Sequence, residues 1–377
     1  MLRLIHTADW QIGREYGQFA PDDAAAMAAA RLTTVSRIGA LATDKRADAI
    51  VVAGDVFDAP SIADKTIRRL FSALDSFSGP WILIPGNHDA ALSAGVWERA
   101  ADLGCIADHV RVLTRPEVVE MRSLSAAFLG APLAQRNSFS DLTAAFDQLP
   151  SEPGFYRIGV AHGSVTGLLQ GDLAPGNPIS PDRVSLARLD YLALGDWHGM
   201  KQVNPRMWYS GTPEQDRFRA NDPGYVLEVS IEEPGAQPQV QSHKVSQYQW
   251  HDIEAVLQGD TAIDALTHQM KDYAQNDVVR LAVSGSVTLA QRRALDQLTG
   301  SLEARLGAFR SDFTALSLSA SDEDIAGLQA DGYLAEVLEE LRGDNHQLDE
   351  AVRQEALRLL ADTLTATVET SNGRDAG

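Results

Sequence analysis

Basic charge is what this sequence has too little of. Its 32 Lys and Arg face 52 Asp and Glu, a formal net charge of −20 over 377 residues. Proteins that wrap nucleic acid show the opposite balance, because Lys and Arg displace counterions from phosphates. The composition therefore argues against a broad DNA-wrapping surface on this chain alone. The deficit is steepest near the end, where residues 322–362 hold twelve Asp and Glu against three Arg. Cysteine is nearly absent too. Cys105 stands alone, so no intramolecular disulfide can form, which fits a reducing compartment. As a lone thiol it reads as a small buried apolar residue. No apolar run reaches the roughly 20 residues of a membrane-spanning helix. The opening run Met1–His6 turns polar at Thr7 and Asp9, too soon for a secretory signal. These absences point to a cytoplasmic protein with no membrane contact.

What is present is the texture of a globular protein, 44% hydrophobic and 22% charged, in a chain too long for one compact core. Short apolar runs lie at 2–6 (LRLIH), 49–53 (AIVVA), 81–84 (WILI), 157–161 (RIGVA) and 190–194 (DYLAL), each followed at once by polar or Gly-containing residues. Helical patterns occupy roughly 23–46 and 61–77. Apolar runs alternating with helices predict a layered α/β sheet whose strands are buried on both faces. Strands at 207–210 and 225–231 close this first domain, expected over 1–250. From about 251 the pattern becomes helix 262–275, strand 277–283, helix 289–307 and strand 313–319, a second α/β domain over 251–321. Two amphipathic helical segments follow within 322–364, carrying apolar residues such as Ile325, Leu334, Leu338 and Leu360, and the last residues, 365–377, read as a disordered tail.

In layered α/β architectures ligands sit beyond the carboxyl ends of the strands. Five such segments are rich in metal-ligand residues: His6–Gln11, Gly54–Asp58, Gly86–Asp89, Ala161–Gly163 and Gly195–Gly199. A Gly-Asp pair alone is ordinary turn chemistry. Gly86-Asn87-His88-Asp89 after the strand WILIP is sharper, because a turn does not ask for histidine. Hard divalent ions prefer carboxylate and amide oxygens, and imidazole suits the later metals. Two such ions about 3.5–4 Å apart can grip a phosphate and lower the pKa of a water to near neutrality. That chemistry needs a bridging carboxylate, terminal ligands and a nearby proton donor, and these segments offer each.

With these motifs in place, residues 1–230 resemble the calcineurin-like metallophosphoesterase superfamily. The opening HTADWQIG is similar to the HT-S/A-D-x-H-x-G of its SbcD- and YhaO-type DNA-repair exonuclease subunits, and Tyr209-Ser210-Gly211-Thr212-Pro213 resembles their Y-x-G-S strand end. The resemblance implies a metallophosphoesterase β-sandwich flanked by helices, a smaller α/β capping domain over 251–321 and a helical partner-binding segment over 322–364. It implies that Asp55 bridges two metals, that Asp9 and His198 complete one site, and that Asn87 and His162 serve the other. His88 would stay off the metals and stabilise or protonate the leaving oxygen. Asp58 and Asp89 would orient those groups. Two positions depart from the family pattern. Gln11 stands where His is usual and would be a weak ligand through its amide oxygen, and Asp196 replaces the first His of G-H-x-H. Both changes favour an oxygen-rich site and hence Mn²⁺, with Mg²⁺ as the second choice.

Further residues carry milder expectations. His6 reads as a structural imidazole. Trp10 and Trp197 flank site residues and could stack on bases or pack in the core. Arg217 and Arg219 could contact phosphate or sit in surface ion pairs, and the Gly/Pro-rich loop 163–183 could shape substrate entry. The function expected is a two-metal phosphodiesterase acting on DNA as the nuclease subunit of a repair complex. The resemblance implies an SbcC-like SMC-type ATPase partner and a homodimer. The alternatives are a hydrolase of small phosphodiesters or nucleotides, and a weakly active scaffold subunit of an ATPase complex.

Overall fold

In a computed structural model of the chain, the described residues are 1–92, 95–167, 176–219, 221–259 and 261–318, together with positions 336, 337, 340, 349, 352 and 356. The expected helical segment 322–364 lies outside the described residues apart from those positions, as do the tail 365–377 and residues 168–175 of the long loop. The chain divides into two compact units, Met1–Gln249 and Trp250–Gly377. Among the described residues no helix is long and apolar enough to cross a membrane.

The first unit contains two mixed sheets of six strands each. In one, Leu2–Thr7, Ala49–Ala53, Trp81–Ile84 and Val110–Val112 run parallel, and Tyr225–Ile231 and Gln239–Lys244 extend it antiparallel beyond Leu2–Thr7. In the other, Ala126–Ala131, Tyr156–His162, Tyr191–Gly195 and Met207–Tyr209 run parallel between antiparallel edge strands Glu117–Met121 and Lys201–Asn204. Successive strand residues point to opposite faces, and both faces are apolar. Leu4, Val51, Ile82 and Ile84 enter a core shared with Phe128, Ile158, Val160 and Ala193 of the second sheet. Their neighbours Ile5, Ile50, Val52, Trp81 and Leu83 enter a core with residues of the helices Pro21–Asp44, Asp64–Leu74 and Val96–Asp102. Ala127, Leu129, Leu192 and Leu194 form a third core on the far face of the second sheet. Each fully buried aliphatic side chain contributes about 1.5–3 kcal/mol. The near-continuous hydrophobicity of the short strands thus reflects a sheet buried on both sides. The expected α/β class stands.

Helix Pro21–Asp44 starts with proline in its first turn, where no intrahelical N–H is needed, and with Asp22 and Asp23 at the positive end of its dipole. Its buried stripe includes Met27, Arg31, Thr34, Val35 and Ile38. Two polar members in that stripe are unusual, and both reach the site described below.

The second unit has a three-stranded sheet of Gln249–Leu257, Asp277–Val287 and Ala308–Leu318. The helix Leu289–Arg305 connects the two parallel strands, and Ala262–Met270 precedes them. Thr288 and Gln291 close a capping box at the start of Leu289–Arg305, with each side chain accepting from the other's backbone N–H at 2.9 and 3.2 Å.

Candidate metal centre

The parallel strands end level with one another. Thr7 pairs with Val52, Ala53 with Ile84, and His162 with Gly195. The loops that leave them therefore emerge side by side at one edge. Asp9, Asp55, Asn87 and Asp196 lie one to three residues past their strands, and His162 is the last residue of its own. Asp9, Gln11, Asp55 and Asp196 all have left-handed backbone, with φ of +54°, +45°, +52° and +101°. Such a conformation costs a non-glycine residue on the order of 1 kcal/mol or more, and it persists where surrounding structure enforces it. Here cross-loop hydrogen bonds do so: Asp9 N–H donates to Gly54 O at 3.0 Å and Gln11 N–H to Asp55 O at 2.9 Å. Four left-handed residues thus converge at this one edge.

Asp9, Asp55 and His162 are buried, and each offers a ligand atom within 4.8 Å of the others. His162 Nδ1 donates to Ala53 O at 2.8 Å. That bond fixes the ring and turns Nε2 toward Asn87 Oδ1 at 2.7 Å, Asp55 Oδ1 at 3.6 Å and Asp196 Oδ1 at 3.8 Å. Asp196 N–H in turn donates to the Asp9 carboxylate at 3.1 and 3.3 Å. Turned the other way, the Asn87 amide nitrogen would donate to the Asp55 oxygens at 3.1 and 3.3 Å and to His162 Nε2 at 2.7 Å; its oxygen faces this spot favourably only where a cation stands among these acceptors. Burial pushes the Asp9 carboxyl up to about 6, with Asp55 and Asp196 adding to the rise and His198 and His162 opposing it. Burial pulls His162 down, but Asp55, Asp9 and Asp196 outweigh it and raise the imidazole to about 9. Three carboxylates, an amide oxygen and an imidazole crowded out of water demand positive charge among them. The donor set therefore fits divalent cations, which prefer oxygen with some imidazole.

His198 lies beside this cluster. Its Nδ1 is 3.2 Å from Asp216 Oδ2, and its Nε2 is 3.2 Å from Gln11 Nε2. Burial lowers the His198 pKa, but the Asp216 hydrogen bond outweighs it and the net shift is upward. Burial works against the Asp216 charge, yet His198, Arg31 and Arg14 hold that carboxyl well below the usual range. Sequence reasoning does not single out Asp216 as a site residue. Its only signal there is a carboxylate shortly after the Tyr209–Pro213 segment, and nothing local says which histidine it meets.

The polar residues of helix Pro21–Asp44 brace this side. Arg31, 2% exposed, donates to Tyr16 Oη at 2.7 Å, Trp10 O at 2.6 Å and Glu214 O at 3.2 Å. Thr34 Oγ1 donates to Glu214 Oε1 at 2.6 Å, and the Thr212 hydroxyl lies 2.8 Å from both Asp9 O and Glu214 O. One guanidinium thus ties the Asp9–Gln11 loop to the segment that carries Asp216.

His88 is half-buried at the cluster's margin. Its backbone N–H donates to Asp55 Oδ1 at 2.8 Å, and its Nδ1 donates to Asp58 O at 2.8 Å. Nε2 is left to carry or accept a proton. Asp89 accepts backbone N–H bonds from Gly86, Val56 and Phe57 at 2.7, 2.9 and 3.1 Å, stapling two site loops together. Burial and the Asp55 charge push the Asp89 carboxyl up to about 7, against the pull of those donors.

Other candidates contribute no atom to the Asp9–Asp55–His162 cluster. Trp10 is buried, donates to Thr7 Oγ1 at 2.8 Å and packs edge-on against Trp81. His6 is fully buried between Tyr191 Oη at 3.0 Å and Leu194 O at 3.2 Å. Trp197 is half-buried, with Lys201 Nζ and Arg219 Cζ each 5.5 Å from its ring. Arg217 pairs with Asp216 and lies 3.0 Å from His198 Nδ1. Cys105 is half-buried against the helical core.

The chain is similar to several known proteins. The SbcD subunit of the nuclease SbcCD of Bacillus subtilis (strain 168) is 26% identical over 269 residues, 61% of this chain and 66% of that protein. Its counterpart in the nuclease SbcCD of Rhodobacter capsulatus is 32% identical over 95 residues, 24% of this chain and 22% of its own. The chain thus covers under two thirds of the length of either relative. The crystal structure of TT1561 of Thermus thermophilus aligns over 65% of this chain and 99% of its own, at 14% identity and a TM-score of 0.41. The Calcineurin-like phosphoesterase profile matches residues 2–227. That span takes in both six-stranded sheets except the strand Gln239–Lys244 and the end of Tyr225–Ile231, and every residue of the candidate cluster, so the chain belongs to the calcineurin-like phosphoesterase family.

Proposed function

We propose that this chain is a two-metal phosphodiesterase that cleaves DNA as the nuclease subunit of a larger complex. The observation that carries the reading is the buried Asp9–Asp55–His162 cluster, whose ligand atoms lie within 4.8 Å of one another. Asp55 would serve both ions, Asp9 and His198 would complete one position, and Asn87, His162 and Asp196 would complete the other. Mn²⁺ is the preferred ion and Mg²⁺ the second, because oxygen donors dominate the set. When bound, the ions neutralise the phosphate and lower the pKa of an attacking water. The chain's own groups do the rest. His88, oriented through Nδ1 by the Asp58 carbonyl, presents Nε2 to donate a proton to the leaving oxygen. Asp89 and the Ala53 carbonyl keep the loops and the His162 ring in register.

DNA is favoured as substrate by Lys201, Arg217 and Arg219 around the half-buried Trp197 at the site, a combination suited to phosphates and an exposed base. The relatives' names as nuclease subunits support it. In this reading residues 1–250 are the nuclease domain, 251–321 a capping domain, and 322–364 a segment that docks on an SbcC-like SMC-type ATPase. A homodimer working in the cytoplasm in DNA repair completes the proposal. The net charge of −20 favours a second reading, a small phosphodiester or nucleotide as substrate.

Cleavage of an end-labelled linear duplex with Mn²⁺, comparing the full chain with Asp55→Ala, separates these. Degradation by the unaltered chain alone supports the nuclease. Turnover of bis(p-nitrophenyl) phosphate without DNA cleavage moves the assignment to small substrates. Neither activity, with or without an added ATPase partner, overturns the enzyme reading.

A further inference from the structure

We infer that Arg14 locks the Gln11 amide with its nitrogen toward His198, so that Gln11 is a hydrogen-bond donor and the two metal positions are unequal in affinity. The inference rests on the two-metal reading above and concerns only how the positions divide.

Arg14 Nη1 donates to Gln11 Oε1 at 3.0 Å and to Asp58 Oδ1 at 3.2 Å, and Arg14 Nη2 lies 3.3 Å from Asp216 Oδ2. A guanidinium has donors only. An amide facing it must therefore present its oxygen, and a reversed amide would set donor against donor. The carboxylates of Asp58 and Asp216 hold the guanidinium from two sides, and Gln11 itself has a left-handed backbone and is 1% exposed. Its amide nitrogen consequently sits 3.2 Å from His198 Nε2. That is the ring nitrogen left for a cation, since Nδ1 faces Asp216. An amide nitrogen has no lone pair to offer a metal. It can donate, and an oxygen placed next to His198, such as one of a phosphodiester, is what it would bond.

The donor count then splits unevenly. Asp55, Asn87, His162 and Asp196 serve one position, whereas only Asp9, Asp55 and His198 serve the other. The Arg14 charge adds repulsion on the poorer side. A position short of one ligand loses at least what removal of an outer-shell partner costs, about 10–100-fold in affinity. Gln11 and Arg14 together would make the second ion a visitor whose stay depends on substrate.

The test is calorimetric titration of Mn²⁺ into the metal-free full chain, backed by counting bound ions after desalting. One Mn²⁺ retained, with a second bound at least about tenfold more weakly, is the expected result. Gln11→His should bring the second affinity close to the first, and Arg14→Met, which frees the amide to turn, should raise it part of the way. Two equal sites in the unaltered chain, or a weak site unmoved by both substitutions, would overturn the inference while leaving the two-metal reading intact. No Mn²⁺ bound by the unaltered chain would sink that reading itself.

Discussion

Asp216 Oδ2 lies 3.2 Å from His198 Nδ1, and its side chain is 1% exposed. A buried carboxylate in that position fixes the ring's tautomer and makes its far nitrogen a better ligand. Asp216→Asn keeps the shape and removes the charge. We expect Mn²⁺ affinity for the weaker position to fall by about 10–100-fold, with the circular-dichroism spectrum unchanged. If affinity holds and only Tm drops, Asp216 serves the Arg14 and Arg31 guanidinium groups rather than the metal centre.

Gly54 has φ of +88°, and a Cβ there would come 2.3 Å from His162 Nδ1. The ring cannot retreat without breaking its bond to Ala53 O. Gly54→Ala therefore combines backbone strain on the order of 1 kcal/mol with a displaced His162 ring. A lowered Tm and loss of most phosphodiesterase activity are expected. An equivalent activity at lower Tm would show that His162 has slack in its placement.

The strand-end motifs are legible in the sequence because each is local. The strands at 2–6, 49–53 and 81–84 are rich in Val, Ile and Leu, and the candidate ligands stand just past them. Strand Ala126–Ala131 is not legible, because AAFLGA is Ala- and Gly-rich, with poor strand propensity. It forms because Phe128 fills the core between the sheets while Leu129 fills the far one. Arg31 and Asp216 are illegible for another reason. Arg31 meets Glu214 across 183 residues of sequence, and His198 meets Asp216 only once a sheet edge turns back on itself. Pairings of that range are products of topology, which periodicity does not encode.

Asp9 illustrates how a site opposes its own fold. Its folded pKa, raised to about 6 chiefly by burial, exceeds the unfolded value, so its charged form weakens the fold at any pH above that. The penalty at pH 8 is on the order of 1–3 kcal/mol. In chelator, Asp9→Asn should therefore raise Tm at pH 8 by a few degrees. Added Mn²⁺ should raise the Tm of the unaltered chain, by the equivalent of about 2.7 kcal/mol at a hundredfold excess over Kd, and should do less for the variant. A metal-free Asn variant less stable than the parent would contradict this.

Lys201 and Arg219, each 5.5 Å from the Trp197 ring, should matter for DNA and not for small substrates. Replacing both with Gln is expected to weaken duplex binding and to reduce the slope of log K against log salt by about one per lost phosphate contact. Hydrolysis of bis(p-nitrophenyl) phosphate should stay near its original rate. An unchanged salt slope would remove these residues from the DNA interface.

His6 gives a pH signature that the ligand cluster does not share. Burial lowers its pKa to about 3 from the ordinary 6.5, although the Leu194 carbonyl bond opposes the shift. The folded protein keeps the ring neutral down to about pH 3, with Nε2–H on Leu194 O and Nδ1 accepting from Tyr191. The unfolded chain protonates near 6.5. Between those values the unfolded state binds more protons, so the His6 contribution is lost as pH falls, by up to about 1.4 kcal/mol per unit. His6→Gln retains the donor to Leu194 without the titration. Urea denaturation in chelator from about pH 7.5 to about 4.5, a window around the ordinary histidine pKa, should show the parent losing stability faster than the variant. The carboxylates titrate in both chains and cancel in the difference. A difference that stays flat with pH would mean that the imidazole finds water or a partner when charged, and that strand Leu2–Thr7 is less tightly closed against Tyr191–Gly195 than these bonds require.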